Sequence, residues 1–469
     1  MVHLIPGQHI HLVGIGGFGL SAIARVLLQQ GYTISGSDRV KNNLTEALAK
    51  EGAIIYQGHA ASNITGAEMV IISSAVTADH VEVAAANQQG IPVYKRSDII
   101  GAVMDGHLNI AIAGTHGKTT TTAMVTHILL KCGKDPSYII GGVMQSTGKN
   151  AHAGNGKAFV VEADEYDYMF LGLRPNIAVI NNVEYDHPDF FKTKEAIVDT
   201  FRRFGQLVPA DGILIANADD PVAKRIAREC AQRQVFTVLF GIDSEDATWS
   251  AGNLHTTDDG FSAFDVVRGG KLLCTVKLQL PGRHNALNAL AALVVADSQG
   301  IPFDEAAEAL LSYEGTGRRF ELCGEVETPQ GKIAVIDDYA HHPTAIRLTL
   351  EATKARYPGR SVWAVWQPHT YSRTKALLND YAKAFSSADH VLVTDIFAAR
   401  EVPIPGVNSA EVVIAMEHAE VRYTPRLEDA MVALAQGVQA PAVVVVMCAG
   451  DATRVSAEYL AWLQKRSAQ

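Results

Sequence analysis

Short apolar runs alternate with segments of helical length along most of this chain. His9-Ile10-His11-Leu12-Val13 opens the series, a glycine turn follows, and Leu20 to Gln30 reads as helix. Further apolar runs come at Thr33-Ile34-Ser35, Ala53 to Tyr56 and Met69 to Ile72. Buried runs separated by helical segments predict βα units and a mainly parallel sheet. The pattern restarts twice. A second series has strands at Asn109 to Ala113, Ala158 to Glu162, Ile177 to Asn181 and Gly212 to Ala216. A third has them at Lys332 to Asp337, Val362 to Trp366, His390 to Thr394 and Ala442 to Cys448. Between these two, Thr248 to Leu280 is β-like without intervening helix, so hairpins inserted or appended at a sheet edge are expected. Helix returns at Asn285 to Gln299. Turn signals at Asp105-Gly106 and Gly315-Thr316-Gly317 divide the chain. Three α/β domains in series are therefore expected: 1–107, 108–316 and 317–469.

Composition fits this reading. The 469 residues make two or three domains the natural expectation, and 48% hydrophobic with 19% charged residues is ordinary for a globular protein. A formal net charge of −10 disfavours a nucleic-acid partner, which would normally meet a basic patch. It does not forbid anionic ligands, because backbone N–H groups bind phosphate on acidic proteins too. The five cysteines are scattered, with no C-x-x-C pair, as in reduced thiols of a cytoplasmic protein. No cationic segment followed by an apolar one opens the chain, and runs such as Pro441 to Met447 are too short to cross a bilayer. A soluble cytoplasmic protein without a membrane partner is expected.

The strongest local signal is a strand, then Gly114-Thr115-His116-Gly117-Lys118-Thr119-Thr120, then a helix through Leu130. Glycines let backbone N–H groups converge on phosphate, and the helix N-terminus adds a favourable dipole. Lys118 supplies a point charge for β/γ-phosphates, and the Thr119 hydroxyl can ligate Mg²⁺. The loop is shorter than the common G-x-x-x-x-G-K-[ST] form, since its first glycine is Gly114.

A second glycine turn lies nearer the N-terminus. Gly14-Ile15-Gly16-Gly17-Phe18-Gly19 fits G-x-G-x-x-G, and Asp38 stands where a dinucleotide site places its ribose-binding acid. Taken alone this suggests an NAD-dependent oxidoreductase. That reading leaves the Gly114 to Thr120 loop unexplained.

The short loop resembles that of the Mur ligases rather than that of GTPases or transport ATPases. The motifs behind it resemble the same family in order. Val161-Glu162-Ala163-Asp164-Glu165 matches its metal-binding glutamate, and Asn182 to Pro188 its post-strand histidine. Pro281 to Ala289 is similar to its adenine-side helix, Gly315 to Glu321 to its linker, and Asp337 to Thr344 and Gln367 to Thr374 to its C-terminal loops. The resemblance covers nearly the whole chain. It implies a Rossmann-like N-terminal domain, a central P-loop ATPase-type α/β domain and a C-terminal Rossmann-like α/β domain.

The resemblance also implies an ATP- and Mg²⁺-dependent ligase of peptidoglycan synthesis. Its closest branch adds L-alanine to UDP-N-acetylmuramate through an acyl phosphate; a sister branch attaches a recovered tripeptide to the same sugar nucleotide. Carried over residue by residue, ATP would meet Gly114, Thr115, His116, Gly117, Lys118, Thr119, Thr120, Asn288, Arg319 and Asp338. Mg²⁺ would be held by Thr119 with Glu162, and a second ion by Glu162 with His187. Gly14, Gly16, Gly17, Gly19, Ser37, Asp38, His59 and Ser74 would bind the UDP-sugar. Tyr339, His369 and Arg373 would form the amino-acid pocket, with Arg373 forking onto the alanine carboxylate. Lys118, His187, Arg319 and His341 would be the catalytic group, acting by electrostatics and positioning.

Overall fold

The computed structural model describes residues 2–258 and 260–467. The strands form three sheets that succeed one another along the chain. The first contains β1 (His9–Val13), β2 (Thr33–Asp38), β3 (Ile54–Gln57), β4 (Met69–Ile72) and β5 (Val93–Lys95), all parallel in the order β3-β2-β1-β4-β5. Strand order reverses between β1 and β4, and ligands of open α/β sheets bind in the crevice at such a point. The glycine turn leaves β1 there and Ser73 leaves β4. Gly14 has φ +85°, and a Cβ on it would lie 3.1 Å from that of Ser73, so the crevice is narrow because Gly14 has no side chain. The helix Phe18–Gln29 buries Leu20, Ile23, Val26 and Leu27 against the sheet, a helical spacing, and stops before Gly31 at φ +89°.

The central sheet has ten strands: β6 (Leu108–Ala113), β7 (Ser137–Met144), β8 (Lys149–His152), β9 (Ala158–Glu162), β10 (Ile177–Ile180), β11 (Ile213–Asn217), β12 (Phe236–Gly241), β13 (Trp249–Thr256), β14 (Ser262–Arg268) and β15 (Lys271–Leu278). Their order is β15-β14-β13-β12-β11-β10-β6-β9-β7-β8. The stretch expected to form edge hairpins does so, as the antiparallel meander β13 to β15. The opposite edge is the antiparallel pair β7–β8, unexpected because Gly141-Gly142 interrupts its apolar run. Helices Lys118–Lys131 and Arg283–Ser298 pack together on this sheet through residues such as Ile128, Leu290 and Leu293.

The third sheet contains β16 (Glu321–Thr328), β17 (Gly331–Asp338), β18 (Ser361–Trp366), β19 (His390–Val393), β20 (Val421–Tyr423) and β21 (Ala442–Met447), in the order β16-β17-β21-β18-β19-β20. Ala-Val-Val-Val-Val-Met in β21 is apolar throughout because it lies mid-sheet and is buried on both faces. The antiparallel edge strand β16 was not foreseen; its Glu-rich, partly exposed sequence hides it. No helix among the described residues is long and apolar enough to cross a membrane.

Candidate active site

Loops from the carboxyl ends of strands in all three sheets meet around one cavity of about 950 Å³. From the central sheet come the phosphate loop after β6, the acidic loop after β9 and the segment after β10. From the third come the loops after β17 and β18, and from the first come Gly19, Ser74 and Arg96.

The phosphate loop owes its shape to its glycines. Gly114 (φ +150°) and Gly117 (φ +80°) occupy backbone conformations that cost other residues dearly, and a Cβ on Gly117 would strike the Asn288 side chain at 2.3 Å. Asn182 braces the loop from both sides, accepting from the His116 N–H (2.7 Å) and donating to its carbonyl (3.1 Å). Lys118 Nζ donates to the Gly114 carbonyl (2.6 Å) and pairs with Glu165 (3.0 Å). Burial works against the charge on Lys118, yet Glu165, Asp164 and Glu162 outweigh it and keep its pKa above the ordinary value. Burial pushes Glu165 up to about 7. Thr119 donates its hydroxyl to Glu162 (3.0 Å) and accepts from Arg319 Nη2 (3.1 Å), so β6, β9 and the linker converge at one hydroxyl. Of the two adjacent arginines, Arg319 is thus the one that reaches the phosphate loop. Arg318 turns to Asp337 (3.4 Å) and the Cys448 carbonyl (2.6 Å).

The Thr119–Glu162 pair is an all-oxygen donor set beside the loop, the chemistry a hard cation such as Mg²⁺ favours, and therefore fits that ion. His187 lines the same cavity. Its imidazole contacts Asp186 (3.7 Å), Glu165 (3.8 Å) and Arg373 (3.4 Å). His187 itself adopts φ +54°, an uncommon left-handed conformation.

On the side of the cavity formed by the third sheet, Arg373 is buried and each guanidinium nitrogen already has a partner. Nε donates to Asp186 (2.7 Å), Nη1 to His369 Nδ1 (2.9 Å) and Nη2 meets His187 Nδ1. Burial, reinforced by Arg373, lowers the pKa of His341 well below that of an ordinary imidazole and that of His369 to about 3. Both are neutral rings. His341 Nδ1 donates to the Tyr339 carbonyl (2.8 Å), and the Tyr339 ring carries Arg319 at 4.9 Å and Arg318 at 5.1 Å. Thr370, beside this pocket, is β-branched and left-handed (φ +63°), a strained conformation.

Several residues expected at the ligands also hold protein partners. Asp338 accepts from the Phe320 and Ala340 N–H groups, both at 2.7 Å, and so fixes the linker that presents Arg319. Asn288 accepts from the Thr121 hydroxyl (3.2 Å) and covers Gly117 at the cavity wall. Asp38 accepts from the Gly16 N–H (2.9 Å), bracing the glycine turn. Ser37 is fully buried, donates to Glu82 (2.6 Å) and touches His59 (3.0 Å), so it lies behind His59 and not on the cavity.

Glu82 went unnoticed in the sequence. It is completely buried and also accepts from Asn63 (2.6 Å), with His11 at 3.7 Å. Burial pushes its pKa up, but the His11 imidazole beside it and the hydrogen bonds from Ser37 and Asn63 overcome this and bring it to about 2. Glu184 was equally unforeseen. Its carboxylate joins His116 of the phosphate loop (3.3 Å) to Thr344 (2.7 Å) and His342 (3.6 Å) at the start of the helix Pro343–Arg356. Its neighbour Asp186 grips Arg373. The segment after β10 thus fastens the third sheet's loops to the phosphate loop.

A three-sheet ligase with a nucleotide loop at its centre is the class this arrangement describes. Residues 9–107 match the Mur ligase family, catalytic domain, residues 112–296 the Mur ligase middle domain, and residues 318–450 the Mur ligase, glutamate ligase domain. The UDP-N-acetylmuramate–L-alanine ligase of Desulfatibacillum aliphaticivorans is 41% identical, over 96% of this chain and 98% of its own. That of Syntrophotalea carbinolica is 42% identical, over 97% and 98%. Among solved structures, the UDP-N-acetylmuramate-alanine ligase of Thermotoga maritima superposes with a TM-score of 0.81 at 28% identity, covering 98% of this chain and all of that one. A murein peptide ligase from Psychrobacter arcticus gives 0.72 at 27% identity, covering 97% and 99%. The chain belongs to the Mur ligase family.

Proposed function

We propose that this enzyme joins L-alanine to the carboxylate of UDP-N-acetylmuramate, with conversion of ATP to ADP and phosphate, in peptidoglycan synthesis. The observation that carries the reading is the shared cavity, into which the phosphate loop, the first-domain glycine turn's edge and the Arg373 pocket all open. Relatives named for this reaction, matching along nearly the full length, support the choice of substrates. A carboxylate is inert to amines, so it is first phosphorylated; the acyl phosphate then accepts the neutral amine of alanine, and the tetrahedral adduct expels phosphate.

Lys118 and Arg319 stand where charge on a transferring phosphoryl group needs compensation. Thr119 and Glu162 would hold Mg²⁺, which offsets the charge of the nucleotide phosphates when bound. His187 would line the region between phosphoryl group and acceptor. The neutral rings of His341 and His369 shape the acceptor pocket without taking up protons. Gly17 is exposed and a Cβ there would meet only the Gly14 carbonyl, at 3.5 Å, which leaves room for a diphosphate beside the turn.

The test is incubation with ATP, UDP-N-acetylmuramate and single amino acids or the tripeptide, scored by product mass. A UDP-N-acetylmuramoyl-L-alanine product supports the reading. A product formed only with the tripeptide overturns the choice of acceptor.

A further inference from the structure

Arg96 is the first residue of the helix Arg96–Val103, directly after β5, and received no role from sequence. It lies on the boundary between two spaces. A small pocket against Gly14, Gly17 and Ser73 opens at the end of β1, and Arg96 lines both this pocket and the large cavity, together with Gly19 and Ser74. Its side chain crosses directly over the glycine turn: a Cβ on Gly19 would come within 2.1 Å of Nη1. Gly19 is therefore bare because a guanidinium passes there.

The turn contains no cation of its own. Every other arginine or lysine lining the large cavity is committed elsewhere: Lys118 to Glu165, Arg318 to Asp337, Arg319 to Thr119, Arg373 to Asp186 and Arg400 to Asp189. Arg96 instead pairs across the domain boundary, Nη2 to Asp164 Oδ2 at 2.9 Å, and both side chains keep about a third of their surface open. Lys95 makes the parallel contact to Asp167 at 3.1 Å. Asp167 and Tyr168 are consecutive left-handed residues (φ +52° and +55°), so the loop presenting these acids to the first domain is held in a strained form.

We propose that Arg96 is a diphosphate-binding residue for the sugar nucleotide, and that it exchanges Asp164 for the diphosphate when that substrate enters. The assignment rests on the functional reading above. The N–H groups of Gly14 to Gly17 already donate within the fold. A guanidinium fork, however, suits two phosphate oxygens, and its closeness to Gly19 lets one diphosphate accept from Arg96 and from the first N–H groups of the helix that begins at Phe18 together. Asp164 holds the fork in place until the exchange.

Calorimetry on the intact enzyme with UDP and with UMP tests this. Wild type should bind UDP more tightly than UMP. Arg96→Ala should lower UDP affinity about 10- to 100-fold and leave UMP nearly unchanged, so that the preference collapses. Arg96→Lys should fall between the two. Asp164→Asn, which removes the competing carboxylate but keeps the arginine, should bind UDP as well as wild type or better. If Arg96→Ala and Asp164→Asn weaken UDP and UMP alike, Arg96 only fastens two domains together and the assignment is wrong. If Arg96→Ala leaves UDP affinity intact, it is also wrong. A wild type that binds no uridine nucleotide overturns the sugar-nucleotide reading itself, which separates that failure from the others.

Discussion

The glycine turn after β1 and the phosphate loop after β6 are the same device in two versions. Each is a parallel strand, a run of glycines and a helix N-terminus. They differ in how charge is supplied. The phosphate loop takes left-handed backbone at Gly114 and Gly117 and carries Lys118 as the first residue of its helix. The first-domain turn enters its helix through Gly17 in ordinary extended backbone (φ −74°), and the residue that follows is Phe18. One site owns its cation; the other has only backbone dipoles and whatever a neighbouring element lends. Glycine patterns alone therefore identify an anion site without ranking its chemistry, and the cation decides which site transfers phosphoryl groups.

The largest effect should come from removing the owned cation. Lys118→Ala is expected to reduce ligation about 10³- to 10⁵-fold, while calorimetry still shows UDP-N-acetylmuramate bound as in wild type. Loss of both in a folded variant would erase the distinction between the two glycine sites.

Arg373 is a third case, a cation already paired and buried. Arg373→Ala leaves the Asp186 carboxylate buried and uncompensated, and should cost about 3–5 kcal/mol of stability by urea unfolding. Arg373→Lys keeps the charge and should fold, but it loses the fork; the KM for L-alanine should rise about tenfold or more, with that for ATP unchanged. An unchanged alanine KM moves the carboxylate grip elsewhere.

Glu82 sharpens the contrast through pH. Its folded pKa of about 2 lies below the ordinary carboxylate value, so the unfolded chain binds the proton more readily. Its contribution is full above that ordinary value and is lost as pH falls from there toward 2. Comparing urea unfolding of wild type and Glu82→Gln, the gap should be at most about 3 kcal/mol at pH 6, about half of that near pH 3, and nearly gone below about pH 2. A gap independent of pH would mean Glu82 is not ionised in the fold.

The smallest change is expected at the turn itself. A Cβ on Gly17 meets nothing closer than the Gly14 carbonyl at 3.5 Å, so Gly17→Val should fold. It should weaken UDP-N-acetylmuramate binding by roughly tenfold, because the valine keeps a phosphate from the backbone, and leave ATP binding alone. Equal loss for both nucleotides would indicate a folding defect.

What the sequence disclosed follows from the range of the interactions. Buried parallel strands such as β6, β10 and β21 announce themselves because burial on two faces demands unbroken apolar runs. The phosphate loop is legible because strand, glycines and lysine are contiguous. The partners that hold the site together are not contiguous. Ser37 meets Glu82, Arg96 meets Asp164, Thr344 meets Glu184 and Arg373 meets Asp186, and nothing local in either member marks the other. Asp38 shows the same limit: its spacing suggests a ribose contact, and nothing local announces that it also braces the Gly16 N–H.

The six residues from Asn182 to His187 also act as a gauge. Asn182 grips the phosphate loop at His116, Glu184 spans to Thr344, and Asp186 holds Arg373. The separation between the phosphate loop and Arg373 is therefore cut to the length of one short piece of chain. Inserting or deleting a single residue there would leave each half of the reaction equipped and put the two out of reach of one another.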